Sequence, residues 1–556
     1  MRALPGFARV RAVGEPAGGR LGRGWTILLL AVALLIAACG GDDDSPVVGE
    51  EQGSVVTTEA GTAASAEDEA AADETPAVTA GATESGATET VDEKEGPAEG
   101  GPVDGGPVEA ADDEDEAAAD ESAGDEDPPV DSGDATEEDA ELEDAEPEDV
   151  EAEAEDEGPD PRLAFLIELT DADDVAVVER IGATVAERRG LALLDPVPVY
   201  LLRRDDVPAY FDADDETSGA DEPGDRFDDR VLQMLDIIGP EVSLGDLFRD
   251  LFVGLALGFY DFDLQGFVII SSNDHVAGGD VSTITHEFVH VLQDQHFAIA
   301  DYFDAHEDNS DRILAARFVV EGDARNSEAL FRDLESELGG QLEPRRDRTP
   351  GLNGSVPPLL QAIFNAPYFT GVAAIAEVLG RQGQAGVDAL LGDLPPSTEQ
   401  LLHRDKLEAR EAPILVEAPD ASEALGEDWT ALGSDTIGEF MLRTMLSPVT
   451  GGGVASGAAA GWGGDRLTVY RGPDDQSVLV WELRWDSPED VTEAVTGFRS
   501  WLPARTGAAL QDLGPGTEWR SSGDRGSAWL RRFGESVFVV IGDDAAAVER
   551  VGLSLP

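Results

Sequence analysis

Residues 41–160 carry 46 Asp and Glu against a single lysine, a net charge of −45, and are almost devoid of aromatic side chains. Such a segment cannot bury enough apolar surface to offset the entropy lost on ordering its chain. Its Ala, Gly, Thr and Pro content shows no periodic apolar face, and its like charges repel, so it reads as an extended, solvated spacer. More than half of the chain's net charge of −80 therefore lies in these 120 residues. Folding is left to 161–556, a stretch long enough for a large core that still carries a net of −39. That balance would repel phosphate and argues against nucleic acid as a partner.

Ahead of the acidic tract, Arg2, Arg9, Arg11, Arg20 and Arg23 precede an apolar run from Trp25 to Ala38. At about fourteen residues the run is short for a transmembrane helix and suits the apolar region of a signal peptide. It ends Ile36-Ala37-Ala38-Cys39, which resembles the lipobox of bacterial lipoproteins. The resemblance implies that Cys39 is lipidated and becomes the anchored N-terminus of an extracytoplasmic protein. An uncleaved anchor, or a secretory signal followed by a chance cysteine, is the alternative. Cys39 is the chain's one cysteine, so the exported part has no disulfide to rely on. The division expected is 1–39 signal and lipobox, 40–160 tether, 161–450 a first domain and 451–556 a second.

Within 161–556 the apolar spacing predicts strands over Leu163–Thr170, Val197–Arg203 and Phe267–Ser272, the last as a candidate edge strand. Helices are expected over Asp174–Arg189, most of Arg230–Leu257, 281–297, 311–338, 371–391 and 435–446. After the glycine-rich stretch Gly451–Gly464 the character changes. Strands are expected at Leu467–Arg471, Val478–Arg484, Trp529–Phe533 and Val537–Ile541. A helix over Pro488–Trp501 is capped by Asp486 or Ser487. The fold class is α+β: a mainly helical core with a short sheet, then a smaller C-terminal α+β unit of the form ββαββα.

Five of the six histidines lie between 275 and 306, and they include His286-Glu287-Phe288-Val289-His290, an H-E-x-x-H. On a helix turning about 100° per residue, with His286 at zero, His290 falls near 40° and Glu287 near 100°. Val281, Ile284, Phe288, Val291 and Leu292 occupy the opposite arc. One face therefore packs while the other presents two imidazoles and a carboxylate, and the i,i+4 spacing lets both rings hold one Zn²⁺. Glu287 is placed beside the metal to act as a general base rather than as a ligand.

A catalytic zinc site needs a third protein donor. Glu321, flanked by Val319 and Val320, is costly to bury unless paired or metal-bound. An ordinary salt bridge to Arg317 or Arg325 is the plainer alternative. His296 is the rival donor, because His286 to His296 follows the metzincin spacing. Gln293 replaces the turn glycine of that pattern, however, and a continuing helix would aim His296 about 120° away from His290. Asp294 shares the metal face and reads either as a support for a ligand or as a surface charge. His403 could approach the cleft to stabilise an oxyanion, and His275 and His306 read as loop histidines.

The run Thr285–Phe297 resembles a group of poorly characterised bacterial exported proteins with a gluzincin-type zinc metallopeptidase core. Four other stretches are similar to the same group: Gly258–Asp261, Val320–Ala324, Pro395–His403 and Gly461-Trp462-Gly463-Gly464-Asp465. The resemblance implies zinc on His286, His290 and Glu321, Glu287 as base, and a protein or peptide substrate. The function expected is a membrane-anchored, metalloendopeptidase-like zinc hydrolase of peptide bonds, the alternative being a non-catalytic surface lipoprotein that keeps a zinc site.

Overall fold

A computed structural model describes residues 160–218, 227–262, 264–346 and 356–556. The signal region, Cys39 and the acidic tract as far as residue 159 lie outside them. The described chain is mixed α+β and contains two sheets.

The first sheet has the order β1-β2-β4-β3, from Leu166–Glu168, Val199–Leu202, Gly266–Ile270 and Gly258–Asp261 respectively. β2 and β4 are parallel, and the other two pairs are antiparallel. The strand expected over Leu163–Thr170 is cut to three residues. Pro161–Phe165 forms a 3₁₀ turn instead, with the Asp160 carboxylate capping the Arg162 N–H. The expected edge position of Phe267–Ser272 is also corrected: β4 is interior and β3 is the edge. β4 hydrogen-bonds β2 on one side and β3 on the other, and it is also covered on both faces. Phe267 and Ile269 pack with the H-E-x-x-H helix, while Val268 and Ile270 pack with Phe252 and Phe259. A strand buried on both faces reads as a continuous apolar run rather than an alternation.

Several long helices expected from sequence are interrupted. Arg230–Leu257 resolves into Phe227–Met234 and Leu244–Leu255, separated by the turn at Gly239-Pro240. The 311–338 helix is Ser310–Ser327 followed, after a 3₁₀ turn at Glu328–Leu330, by Arg332–Gly339. Residues 371–391 divide at Gly383, whose φ of +67° ends one helix before the next begins.

The second sheet is antiparallel, with the order β5-β6-β7-β11-β10-β9-β8. Its strands are β5 Thr430–Asp435, β6 Trp462–Arg471, β7 Ser477–Trp485, β8 Gln511–Gly514, β9 Glu518–Gly523, β10 Gly526–Phe533 and β11 Ser536–Gly542. Helix Pro488–Thr506 covers it, and Ser487 is the residue that caps that helix. The simple ββαββα pattern is exceeded because β8 is polar and mostly exposed and β9 buries only Trp519 and Ser521, leaving no apolar run to mark them. β5 joins the sheet from ahead of Gly451. One continuous apolar core runs from Leu314 and Phe318 through Phe440 to Trp481 and Phe498.

The junction is pinned by Asp465 of β6. Its carboxylate accepts the Ile437 and Gly438 N–H groups at the start of helix Gly438–Thr450, and the indole N–H groups of Trp462 and Trp481, all at 2.8–3.1 Å. Two more carboxylates then fasten helix Ser310–Ser327. Asp435 accepts from the Ser310 N–H at 2.8 Å, and Asp311 accepts from the N–H and hydroxyl of Thr398. The C-terminal sheet thus anchors the beginning of the helix that carries Glu321.

Candidate metal centre

The H-E-x-x-H sequence lies within helix Val281–Phe297, whose residues 281 and 283–294 are all buried. Its apolar arc packs on β4 and on helix Ala172–Arg189. The opposite arc meets helix Ser310–Ser327, where Glu321 sits. The three side chains converge. His286 Nε2 lies 3.2 Å from His290 Nε2, and Glu321 Oε2 lies 3.5 and 3.6 Å from those two nitrogens. Tetrahedral bonds of about 2.0–2.1 Å would place donor atoms about 3.3–3.4 Å apart. Among the described residues Glu321 Oε2 is buried without a hydrogen bond, which suits an oxygen available as a metal donor. The donor set, its spacing and the orphaned oxygen therefore fit one tetrahedral ion with a fourth position open.

Glu287 stands beside this triad. Its Oε2 accepts the Tyr260 N–H at 3.0 Å, from the outer edge of β3, and its Oε1 is buried without a partner. Burial raises the Glu287 carboxyl, against the opposing pull of His290 and His286. Burial acts to lower His286, but the Glu321 and Glu328 carboxylates prevail and lift it to about 10. His290 is likewise raised against its burial by Glu321, whose own carboxyl is held far below the usual range by the imidazoles despite burial.

Each imidazole is oriented through its other nitrogen, an arrangement typical of metal-ligating histidines. His286 Nδ1 meets Glu328 Oε1 at 3.1 Å, and Glu328 is paired with Arg325. His290 Nδ1 meets Gln293 Oε1 at 2.8 Å, and the Gln293 amide donates to Asp323 and to the Val320 carbonyl. Asp323 in turn pairs with the buried Arg189. Sequence reasoning treated Gln293 only as a missing glycine and overlooked Glu328. The available signal was helical phase: Gln293 is three residues from His290, on the same face.

The other candidates are spent elsewhere. His296 Nε2 contacts the Ala192 carbonyl at 2.7 Å and lies outside the cluster. His403 Nε2 lies 2.9 Å from both Glu439 oxygens. Asp294 is buried rather than a surface charge, and it accepts the Tyr260 hydroxyl and the Ala300 N–H, neither of them a metal-donor candidate. His275 and His306 occupy a bend and a turn.

Two buried residues complete the site: Tyr368, which the sequence reading did not include, and Arg317, which it weighed only as a salt-bridge partner for Glu321. Tyr368 belongs to the π-helical turn Pro367–Gly371, which packs against helix Ser310–Ser327. Gly322 permits that approach, since a Cβ there would lie 2.6 Å from the Gly371 carbonyl oxygen. The Tyr368 phenol is raised well above its ordinary value, first by burial and then by Glu321.

A family model described as a domain of unknown function (DUF8575) matches residues 427–552. The match covers the C-terminal sheet and helix Gly438–Thr450, and none of His286, Glu287, His290 and Glu321. No curated protein and no solved structure matches the chain.

Proposed function

We propose that the protein is a zinc-dependent peptide hydrolase with a zincin-like centre, exported and held at the outer face of the cytoplasmic membrane through lipidated Cys39. The observation that carries the reading is the convergence of His286, His290 and Glu321 at tetrahedral donor spacing, with Glu287 adjacent. Zinc held by these three residues supplies Lewis acidity that makes water a nucleophile near neutral pH. Glu287 supports the hydrolytic reading because its carboxyl is raised and its Oε1, which has no partner among the described residues, can accept a proton from water and return it to the leaving amine. A purely structural site needs no such base. Protein or peptide is the substrate class that the resemblance implies.

The test is zinc content and cleavage of unfolded casein, measured on the wild type and on Glu287→Gln. Both proteins should bind one zinc, and the variant should lose at least about 10²-fold in turnover, the contribution of a general base. Zinc bound stoichiometrically to a wild type without hydrolytic activity would instead assign a non-catalytic lipoprotein with a structural ion. Loss of zinc from Glu287→Gln would make Glu287 a ligand and refute the mechanism.

A further inference from the structure

Arg317 lies one helical turn before Glu321 and is 1 % exposed. Among the described residues none of its three guanidinium nitrogens has a hydrogen-bond partner, and neither does the neighbouring Tyr368 hydroxyl. The Tyr368 hydroxyl lies near both Arg317 and Glu321, within polar reach of each but outside hydrogen-bonding geometry. A buried guanidinium with all its donors unused is among the costliest arrangements a protein can hold. The nearest carboxylate does not resolve it, because Glu321 directs its unpaired oxygen at His286 and His290 rather than at Arg317.

The more distant carboxylates are already engaged, Glu328 with Arg325 and His286, and Asp323 with Arg189. Among the described residues no carboxylate therefore hydrogen-bonds the Arg317 guanidinium, and an incoming monoanion would supply that partner. A planar carboxylate matches the guanidinium fork, with the Tyr368 hydroxyl as a further donor.

We infer that Arg317 and Tyr368 form a carboxylate-binding subsite beside the metal centre that captures the C-terminal carboxylate of a peptide, making the hydrolase an exopeptidase that acts at chain ends. This deepens the hydrolase reading and rests on it. One helical turn, about 6 Å along the axis, separates Arg317 from Glu321. Such a spacing suits a carboxylate about one residue beyond the scissile bond. Enclosure favours a chain end as well: His286, Glu287, His290 and Glu321 are each at most 5 % exposed, and a chain end needs an opening on one side only.

The experiment is calorimetric binding to full-length, zinc-loaded Glu287→Gln protein, which holds substrate without turning it over. Four probes are compared: a short apolar peptide as the free acid, its C-terminal amide, the same amide with an internal glutamate, and sodium acetate. The free acid should bind at least about tenfold more tightly than the amide, the size expected of a charge-assisted pair. Adding Arg317→Gln should abolish that preference, and adding Tyr368→Phe should reduce it, with zinc content unchanged. Equal binding of acid and amide, or a preference that survives Arg317→Gln, would overturn the inference. An internal-glutamate amide or acetate binding as tightly as the free acid would overturn its chain-end part. Should Arg317→Gln not fold, Tyr368→Phe and the acid–amide comparison still decide the matter. Absence of zinc from the Glu287→Gln protein would refute the hydrolase reading, whereas zinc present without an acid preference refutes only the subsite.

Discussion

Gln293 holds His290 in a single orientation: its Oε1 lies 2.8 Å from His290 Nδ1. The amide cannot be reversed without loss, because its Nε2 donates to Asp323 Oδ2 at 2.8 Å and to the Val320 carbonyl at 3.0 Å. The proton of a neutral His290 therefore sits on Nδ1, and the Nε2 lone pair faces His286 and Glu321. Because Val320 and Asp323 flank Glu321, one side chain sets both the second imidazole and the backbone of the third donor.

Gln293→Ala should consequently weaken zinc about 10–100-fold while sparing the fold, the usual effect of removing a group that orients a metal ligand. Competition with a chelator of known affinity measures it, with circular dichroism as the control. An unchanged affinity would show that helix packing alone orients His290.

Zinc binding should release protons. In the metal-free protein His286 is raised from 6.5 to about 10, so it is protonated at neutral pH. A raised basic group contributes stability that is fully present below pH 6.5 and is lost as pH rises towards 10. The metal-free protein should therefore melt at a lower temperature across that window. Zinc needs the neutral ring, so its affinity should rise over the same range. Titrations in buffers of different ionisation enthalpy should show at least one proton released per zinc at pH 7. Release of none would contradict the raised His286.

Asp465→Ala should destabilise the protein by at least about 3 kcal/mol, since four buried donors lose a charged acceptor worth about 1.5–3 kcal/mol per bond. Urea unfolding measures this. The variant should also bind zinc more weakly, because Asp465 holds the start of helix Gly438–Thr450, against which the Glu321 helix is fastened. A stability loss with unaltered zinc affinity would separate the clamp from the site.

Cys39→Ser should abolish lipidation and leave the protein uncut or released from the membrane. Intact-mass measurement of the mature wild type checks the premise, and an unmodified Cys39 there would refute it.

Much of the site was legible because helical phase is a local property. The i,i+4 spacing of His286 and His290 fixes their shared face once the helix forms, and the cost of burying Glu321 between valines marks it as needing a partner. The α+β class and most element positions likewise follow from apolar periodicity. The inversion of edge and interior strands does not, because both faces of β4 are apolar and its neighbours come from distant segments. Nor do the roles of Gln293, Glu328, Arg317 and Tyr368. Arg317 was weighed as a salt-bridge partner for Glu321, and only the packed arrangement shows its donors unused. Tyr368 reaches the site through a helix crossing that Gly322 permits about 46 residues away in sequence. The sequence by itself determined which residues can bind a metal, since ligand chemistry and helical spacing are intrinsic to the chain. The tertiary structure alone decided which of them meet and which buried groups are left unpaired, because burial and pairing depend on contacts between segments remote in sequence.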